Sequence, residues 1–392
     1  MKIAINTTSA VAGGGVTYIK NLLASLSQLN TTHHYLILTT HAGKELFSFP
    51  HPQFTFLSFR LPSGSPVLRL CWEQIFLPLF LKRENVTLLF SPANVCPLFT
   101  KLTNVVMIQN IEPFSNSVPV NRGFIQRLRL KFLKLLTTLS IQKAQIAIFP
   151  STKARVDTEK SGVLMKQAEV IYHGINRALF HPIQGNDNTL LQLKKEYRID
   201  TFLLFVSNIQ RYKNFFELIK AFVLLRDKID SAIQLVLAGT CFDRKYFNEM
   251  TAFITREGYD HRILFLGRVP YEDLPYLYSA CKLFVYPSTC ESFGMTLVEA
   301  MACGAPILAS HSEPMPEICA DAALYFNPTN PAVIADAIRK TLNNQDMISA
   351  LARNSLERAK IFSWDNTAIH TLQTFLSAAK PQPHPGKPLN GF

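Results

Sequence analysis

The stretch FVYPSTCESFGMTLVEAMACGAP, residues 284–306, decides the fold of this 392-residue chain, because it predicts a buried strand, a turn and a helix in succession. Phe284 to Tyr286 form an apolar run that Pro287 ends, and apolar residues then recur at helical spacing from Met295 until Gly304. Backbone N–H groups at such a helix start have no partner within the helix and suit a phosphate. The predicted phosphate-facing segment comprises Ser292, Phe293, Gly294, Met295, Thr296 and Leu297.

Two carboxylates flank this turn. Glu291 precedes the predicted helix, where it can accept hydrogen bonds from sugar hydroxyls. Glu299 lies about one turn inside the helix, where it can accept both hydroxyls of a ribose diol. Neither residue has to transfer a proton. For an arbitrary pair of glutamates at this spacing, the simpler interpretation is one exposed side chain and one that caps the helix.

The order of strand, Glu-Ser-Phe-Gly, Glu-Ala-Met-Ala, Gly-Ala-Pro and the second apolar run 307–309 resembles the Glu-x7-Glu motif of retaining glycosyltransferases of the two-domain B type. These enzymes form the large family 4, glycosyl transferases group 1, and the resemblance covers most of the chain. It implies an α/β fold with two Rossmann-like, doubly wound domains that face each other across a cleft, the GT-B architecture. It also implies transfer of a hexose (mannose-, glucose- or N-acetylhexosamine-type) from a nucleotide diphosphate sugar to a glycan or lipid-linked acceptor, in cell-surface polysaccharide or lipopolysaccharide synthesis.

Two other functions fit the same pattern. A nucleotide-sugar 2-epimerase would share the donor pocket and lack an acceptor. A non-catalytic module that binds a sugar nucleotide or a membrane would share the fold alone.

The rest of the chain alternates short apolar runs with helical stretches, which is typical of parallel sheets covered by helices. The predicted strands of the first half are 3–6, 35–39, 54–59, 88–90, 105–109 and 146–149. Those of the second half are 170–172, 202–206, 234–238, 263–265, 283–286 and 307–309. The resemblance implies an acceptor-side domain at 1–172, a donor-binding domain at 173–361 and a closing helix at 362–379 that crosses back. The proline-rich composition of residues 380–392 predicts a disordered tail.

Composition agrees with a two-domain protein, because 392 residues with 48% hydrophobic content exceed what one core usually spans. The seven cysteines form no C-x-x-C pair, so they read as small buried hydrophobes in a reducing compartment. The sequence shows no signal peptide pattern and no apolar span long enough for a transmembrane helix. We therefore expect a cytoplasmic protein, with peripheral contact to the inner face of the membrane as an option.

The net charge of +12 lies almost wholly in the first half: residues 1–172 hold 18 Lys and Arg against 7 Asp and Glu. Much of this charge belongs to a predicted helix at 122–143, with the cations Arg127, Arg129, Lys131 and Lys134. Its apolar residues, which recur at helical spacing, are Phe124, Leu128, Phe132, Leu135, Leu136 and Leu139. One interpretation is a surface helix with this apolar face in the core, and the other is a helix lying on anionic lipid. Nucleic acid is not an expected partner, because no recognisable nucleic-acid-binding module accompanies the charge.

Three further segments carry candidate ligand contacts. A glycine loop after the first strand opens a helix, and by resemblance Gly14 and Gly15 face the donor diphosphate across the cleft. Arg211 and Lys213 follow a strand and precede a helix, where two cations can neutralise a leaving diphosphate. They match the family's basic pair. Gly267 and Arg268 resemble the loop beside the base.

One departure from the family pattern concerns the strand at 105–109. Many relatives carry a histidine-aspartate pair there, whereas this chain has Gln109 and Asn110. An amide can hydrogen-bond the donor sugar but cannot act as a general acid. The family mechanism lets the leaving phosphate deprotonate the acceptor, so Asn110 would orient the sugar. The chain has no Asp-x-Asp triplet, and we expect no metal site and no cofactor besides the nucleotide-sugar donor. The segment 91–94 resembles first-domain segments that line the acceptor side.

Overall fold

The computed structural model of the protein describes residues 1–10, 13–61, 66–115 and 124–380. The predicted tail lies outside these residues except for Lys380, and so do the first two residues of the predicted basic helix, Arg122 and Gly123.

The first domain is built on a seven-stranded parallel sheet with the strand order β3-β2-β1-β4-β5-β6-β7. Its strands are β1 (Lys2–Asn6), β2 (His34–Thr40), β3 (Phe54–Phe59), β4 (Leu88–Ser91), β5 (Thr103–Met107), β6 (Ile146–Phe149) and β7 (Ala168–Val170). The central strands are apolar on both faces, as expected where helices cover both sides of a parallel sheet. The covering helices are α1 (Gly14–Gln28), α2 (His41–Phe47), α3 (Pro66–Arg83), α4 (Phe124–Lys143) and α5 (Thr152–Lys160).

The second domain is built on a six-stranded parallel sheet with the strand order β10-β9-β8-β11-β12-β13. Its strands are β8 (Thr201–Val206), β9 (Ile233–Ala238), β10 (Ile263–Gly267), β11 (Leu283–Tyr286), β12 (Ile307–Ser310) and β13 (Ala323–Phe326). Its helices are α6 (Asn188–Tyr197), α7 (Phe215–Val223), α8 (Arg244–Glu257), α9 (Leu274–Ala280), α10 (Met295–Ala302), α11 (Met315–Cys319), α12 (Pro331–Leu342) and α13 (Gln345–Ala359). Two Rossmann-like sheets therefore make up the protein, as the sequence predicts.

The last helix, α14 (Trp364–Ala379), packs against the first domain. Its buried residues Trp364, Ala368 and Phe375 belong to the same apolar cluster as β1 and α1. The Ser25 hydroxyl of α1 donates to Asp365 at 2.8 Å. The closing helix expected at 362–379 thus reaches back across the junction.

The junction between the domains is further held by polar contacts. Glu317 of α11 accepts the backbone N–H groups of Thr152 and Lys153 at 2.7 and 3.1 Å, so a second-domain carboxylate caps α5 of the first domain. The Ser151 hydroxyl donates to the carbonyl of Ser292 at 2.7 Å. These contacts place the turn before α10 against the first domain.

Two strand predictions are wrong in detail. The run at 170–172, predicted for the second half, ends the first sheet as β7, where Val170 pairs with Phe149 of β6. Strand β13 was not predicted: it is a run of only four residues, ALYF, and its two central side chains are exposed. None of the helices in the described ranges is long and apolar enough to cross a bilayer.

For the middle and end of the basic helix, the structure tests the interpretation that its apolar face packs in the core. Leu128, Phe132, Leu135 and Leu139 of α4 are exposed, whereas Thr137, Ser140 and Ile141 are buried against the sheet. The interpretation that the leucine and phenylalanine face packs in the core is therefore wrong for these four residues. The inner side of the helix is taken instead by Thr137, Ser140 and Ile141.

Candidate active site

In both sheets the strand order reverses next to the first strand of the domain, between β1 and β4 and between β8 and β11. In open α/β sheets, ligands bind at the carboxyl ends of the strands beside such a switch point. The loop after β8 carries Arg211 and Lys213, and the loop after β11 carries Glu291 to Gly294. The topology therefore brings two predicted segments, far apart in sequence, to one edge of the second sheet.

The two loops meet in an ion pair. Lys213 Nζ lies 2.5 Å from Glu291 Oε1, and both side chains are nearly buried, with 10% and 11% of their surface exposed. The Tyr286 hydroxyl donates to the same carboxylate oxygen. Backbone contacts fix the loops, since Asn214 Nδ2 donates to the carbonyl of Pro287 at 2.9 Å. The pair can present one cation and one acceptor to a ligand at this edge.

The start of α10 supplies unpaired donors beside that pair. Gly294 caps the helix with φ +94°, a conformation that favours glycine. The described part of the chain offers no acceptor to the backbone N–H groups of Met295 and Thr296. Two positive partial charges thus point past the helix start, where an anion is stabilised.

Two members of the predicted phosphate-facing segment have other roles. The N–H of Leu297 is already bonded to the carbonyl of Gly294 at 3.0 Å. The Phe293 side chain is buried, with its ring 4.8 Å from that of His173 and 5.7 Å from that of Phe362. The prediction of a free N–H at Leu297 is wrong because the first turn of α10 uses it, and the Phe293 side chain packs the domain junction.

Glu299 is buried inside α10 and is held by two tyrosines. The Tyr278 hydroxyl donates to Oε2 at 3.0 Å and the Tyr271 hydroxyl to Oε1 at 3.2 Å. Burial raises the pKa of the Glu299 carboxyl to about 7, against the two hydrogen bonds, which lower it. A ribose diol would reach Glu299 by taking the place of a tyrosine hydroxyl.

Arg211 does not join the pair made by Lys213 and Glu291. Its guanidinium donates to both carboxylate oxygens of Glu249, at 3.0 and 3.1 Å, and lies 3.3 Å from Asp243. The bond to Glu249 is the main reason that the pKa of Arg211 is raised. The structure therefore separates the two predicted cations, with Lys213 beside the α10 turn and Arg211 against α8.

The loop after β10 is open to a ligand. Gly267 has φ +66°, and a Cβ added to it would meet nothing within 4 Å. Arg268 beside it is exposed. The carbonyl of Gly267 accepts the N–H of Gly239 at 2.7 Å, which ties the loops after β9 and β10 together.

In the first domain, the glycine loop lies against the loop after β5. A Cβ on Gly15 would stand 3.8 Å from Gln109 Oε1, while none of the neighbours of Gly14 comes within 4 Å of such an atom. The structure thus brings the two predicted first-domain segments together at the carboxyl edge of the sheet.

Asn94 braces the turn that carries Asn110. Its Oδ1 accepts the N–H groups of Gln109 and Asn110, at 3.0 and 2.9 Å, and its Nδ2 donates to the carbonyl of Asn110 at 2.7 Å. Asn110 itself accepts the N–H of Glu112 at 2.9 Å. The buried amide of Asn94 therefore fixes the backbone that carries the exposed Asn110 side chain.

A cleft cavity of about 1010 Å³ lies between the two domains. Asn110 and Arg129 line its first-domain wall, and Gln210, Arg211 and Asp243 line its second-domain wall. A smaller cavity of about 250 Å³ in the first domain is bordered by Gly15, Asn94 and Asn110. The cleft therefore offers one space that both domains share and one that belongs to the first domain.

Sequence reasoning missed the roles of four side chains that shape the site. Tyr271, Tyr278 and Tyr286 each hydrogen-bond a predicted ligand-binding glutamate, and Asn94 holds the Asn110 turn. Tyr278 and Tyr286 sit in apolar runs that are typical of a core, whereas Tyr271 lies between Pro270 and Glu272 in a predicted loop. The signal that could have revealed the role of Asn94 is its place after a buried strand, two residues after Pro92. Among residues 1–10, 13–61, 66–115 and 124–380, no group of three or more potential metal ligands is found.

Residues 192–358 match the family model for glycosyl transferases group 1. This segment of the second domain therefore carries a glycosyl transferases group 1 domain. The match contains the motif segment 284–306 and the loops of Lys213 and Gly267. The predicted resemblance to this family is confirmed for residues 192–358.

Curated relatives in the family include two from Escherichia coli. O-antigen chain mannosyltransferase B is 34% identical over 175 residues, which cover 44% of this chain and 45% of that protein. The serotype-specific mannosyltransferase WbdA is 33% identical over 202 residues, which cover 50% of this chain and 24% of WbdA. The chain thus spans about half or less of the length of these relatives.

Solved structures share the whole architecture. The crystal structure of Anabaena HepE in complex with UDP-glucose has a TM-score of 0.75 at 19% identity, covering 96% of this chain and 100% of that one. WaaG, a glycosyltransferase involved in lipopolysaccharide biosynthesis, has a TM-score of 0.74 at 17% identity, covering 95% of this chain and 99% of that one. The GT-B fold, with two Rossmann-like domains, is therefore confirmed.

Proposed function

We propose that this protein is a retaining hexosyltransferase that moves a hexose from a nucleotide diphosphate sugar to a glycan or lipid-linked acceptor. The observation that carries the proposal is the meeting of Lys213, Glu291 and the start of α10 at the switch point of the second sheet. A cation, an acceptor and two free N–H groups at one edge suit a sugar diphosphate.

Each part of the donor has a matching group. The N–H groups of Met295 and Thr296 and the ammonium of Lys213 would take the diphosphate and stabilise the charge that grows as the glycosidic bond breaks. Glu291 would accept hydroxyls of the hexose, and Glu299 the ribose diol. Gly267 and Arg268 would border the base. Gly14 and Gly15 would approach the diphosphate from the first domain.

The acceptor would enter through the cleft cavity and meet the donor beside Asn110. An amide at this position orients the sugar by hydrogen bonds, and the leaving phosphate itself can take the proton of the acceptor hydroxyl on the same face. This route needs no general base from the protein. Arg211 would act at the cavity wall, where its ion pairs with Glu249 and Asp243 hold it in place.

The relatives narrow the choice of substrates. Two are named as mannosyltransferases, one of them of the O-antigen chain, so we propose a mannose-type donor and a cell-surface glycan as the first candidates. All seven cysteines are free thiols, which fits a reducing, cytoplasmic compartment.

A donor panel tests the proposal. The purified protein is incubated with GDP-mannose, UDP-glucose or UDP-N-acetylglucosamine, with and without a bacterial lipid extract, and release of nucleoside diphosphate is measured. One donor should be consumed only when acceptor is present, and NMR of the product should show a retained anomeric configuration. Activity should persist with excess chelator.

The other outcomes are equally informative. Conversion of a donor to its 2-epimer without acceptor would establish an epimerase instead. Binding of a donor with no turnover under any condition would establish a non-catalytic module. An inverted product, or a strict requirement for manganese or magnesium, would contradict the retaining, metal-free mechanism.

A further inference from the structure

The outward face of α4 is apolar and is flanked by cations. Leu128, Phe132, Leu135 and Leu139, spaced by four, three and four residues, have between 38% and 59% of their surface exposed. Residues at this spacing form one stripe, and the buried Thr137, Ser140 and Ile141 lie on the opposite side. The helix contains no acidic residue. An exposed apolar stripe of this size, on a helix without acidic residues, indicates an interaction surface.

The outward face of α3 has the same character. Its exposed apolar residues are between 54% and 67% exposed, and they are Val67, Leu68, Ile75, Phe76 and Leu79. Leu77 and Leu81 on the other side are buried against the sheet. The one acidic residue of the helix, Glu73, is also buried, where it accepts the Thr8 hydroxyl at 2.7 Å.

The two helices cover the same face of the first sheet. Alternate strand residues point to opposite faces, and residues paired in a parallel ladder point to the same one. Ala4 and Leu89, which pack with α3, pair with each other in the ladder. Leu89 pairs with Asn104, two residues before Val106, which packs with α4. The outer sides of α3 and α4 therefore face the same direction.

The segment between β4 and β5 links the two helices. Gln74 of α3 donates to the carbonyl of Cys96 at 3.1 Å and accepts the N–H of Leu98 at 2.8 Å. The N–H of Cys96 donates to Ser140 of α4 at 3.1 Å. Phe99, which follows this link, is 83% exposed. The outer faces of α3 and α4 and the Phe99 side chain thus form one continuous area, which we call the two-helix surface.

We propose that the two-helix surface docks the protein on an anionic lipid bilayer. Exposed cations surround the apolar residues, and they are Lys82, Arg83, Lys101, Arg127, Arg129 and Lys131. Apolar side chains at the level of the acyl boundary, with cations among the headgroups, are what an interfacial amphipathic helix requires. A second copy of the chain fits less well, because face-to-face contact would bring two cationic rims together.

This inference does not depend on the donor site, and it names where a lipid-linked acceptor would be met if the proposed function holds. Docking through the apolar side chains of two helices differs from purely electrostatic attraction by the basic residues. Both helices have to contribute, so removing either apolar stripe should weaken binding.

Vesicle flotation tests the surface. The wild type should float with phosphatidylglycerol vesicles and not with phosphatidylcholine vesicles. Ile75→Gln, Phe76→Gln and Leu79→Gln together, or Leu128→Gln, Phe132→Gln and Leu135→Gln together, should each weaken binding at least about tenfold. Replacing Lys82, Arg83, Arg127 and Lys131 with Gln, or adding high salt, should abolish flotation. The matched control changes three exposed leucines elsewhere, Leu164, Leu191 and Leu224, to Gln and should float like the wild type.

Cys71 provides a second readout, because it lies on α3 and is exposed, whereas the other six cysteines are buried or half-buried. Phosphatidylglycerol vesicles should protect Cys71 from an impermeant maleimide, with Cys71→Ser as the background. The proposal is overturned if the wild type never floats, if the α3 variant floats unchanged, or if Cys71 is protected without lipid in a dimer that the α3 variant dissociates. Nucleotide binding should be the same in all variants, so a failure here is distinct from a failure of the donor site.

Discussion

The ammonium of Lys213 lies 2.5 Å from Glu291 Oε1 and joins the loops after β8 and β11 into one site. Because both side chains are nearly buried, each charge is compensated mainly by the other. A donor diphosphate would therefore compete with Glu291 for Lys213, and the hexose would compete with Lys213 for Glu291. Substitutions of the two residues are expected to be coupled rather than additive.

The first prediction concerns Lys213. If its ammonium stabilises charge that develops as the glycosidic bond breaks, Lys213→Ala should lower kcat more than it raises the KM for the donor. Steady-state kinetics with the preferred donor measures both. The substitution also leaves Glu291 buried without a partner, so Lys213→Ala combined with Glu291→Gln is the control. If the double variant regains wild-type turnover, Lys213 has only a structural role.

The second prediction concerns the division of labour between the two glutamates. Glu299→Ala should weaken binding of the bare nucleotide and of the nucleotide sugar alike. The expected loss of binding free energy is about 1.5–3 kcal/mol, which is typical of a charge-assisted bidentate contact. Glu291→Ala should weaken binding of the nucleotide sugar, because it removes a contact to the hexose. Binding of the bare nucleotide should not weaken, because Lys213 stays available to the diphosphate. Titration calorimetry with both ligands distinguishes the patterns. Equal losses for both ligands in both variants would contradict the assignment.

The third prediction uses the pKa of Glu299, which burial raises from 4.5 to about 7. Between these values the folded protein binds more protons than the unfolded chain, so the free energy of unfolding should fall as pH rises from about 4.5 to 7. The full loss from this group is about 3 kcal/mol, and it should be complete above the folded pKa. Denaturant unfolding of the wild type and of Glu299→Gln at several pH values measures it. The free energies of unfolding of the wild type and of Glu299→Gln should differ by an amount that changes with pH. A constant difference would show that Glu299 is ionised throughout and would contradict the prediction.

The sequence predicted the fold well because its strands are short apolar runs that end at Pro, Gly or polar residues. Strands β8 to β12 lie within two residues of their predicted positions. The placement of β7 failed because a strand's partner is not visible in its own residues, and Val170 lies next to the interdomain junction. The orientation of α4 could not be decided either, because exposed and buried leucines have the same helical spacing.

The sequence predicts the individual residues of the candidate site but not the contacts between them. Lys213 and Glu291 were assigned to different ligand groups, and nothing local indicates that residues 78 apart form an ion pair. Arg211 was paired with Lys213 by sequence proximity, whereas its partners lie on α8. Contacts of this kind depend on how separate loops meet at the switch point, which the sequence pattern does not specify.

The last prediction concerns Asn94, whose side chain makes three hydrogen bonds to the backbone of Gln109 and Asn110. Asn94→Ala removes all three from a buried turn and should lower the free energy of unfolding by about 1–3 kcal/mol. It should also lower kcat, because Asn110 then loses its fixed position beside the donor sugar. Nucleotide binding, measured by calorimetry, should change much less than kcat, since Lys213, Glu299 and the start of α10 lie in the other domain.

Asn94 has φ +67°, so part of the cost of alanine is backbone strain. Asn94→Gly is the matched control, because glycine tolerates this conformation and also lacks the three hydrogen bonds. If the hydrogen bonds position Asn110, Asn94→Gly should regain some stability relative to Asn94→Ala and keep the same loss of kcat. A glycine variant with wild-type kcat would show that the backbone conformation alone holds the turn, and that the amide of Asn94 does not contribute to turnover.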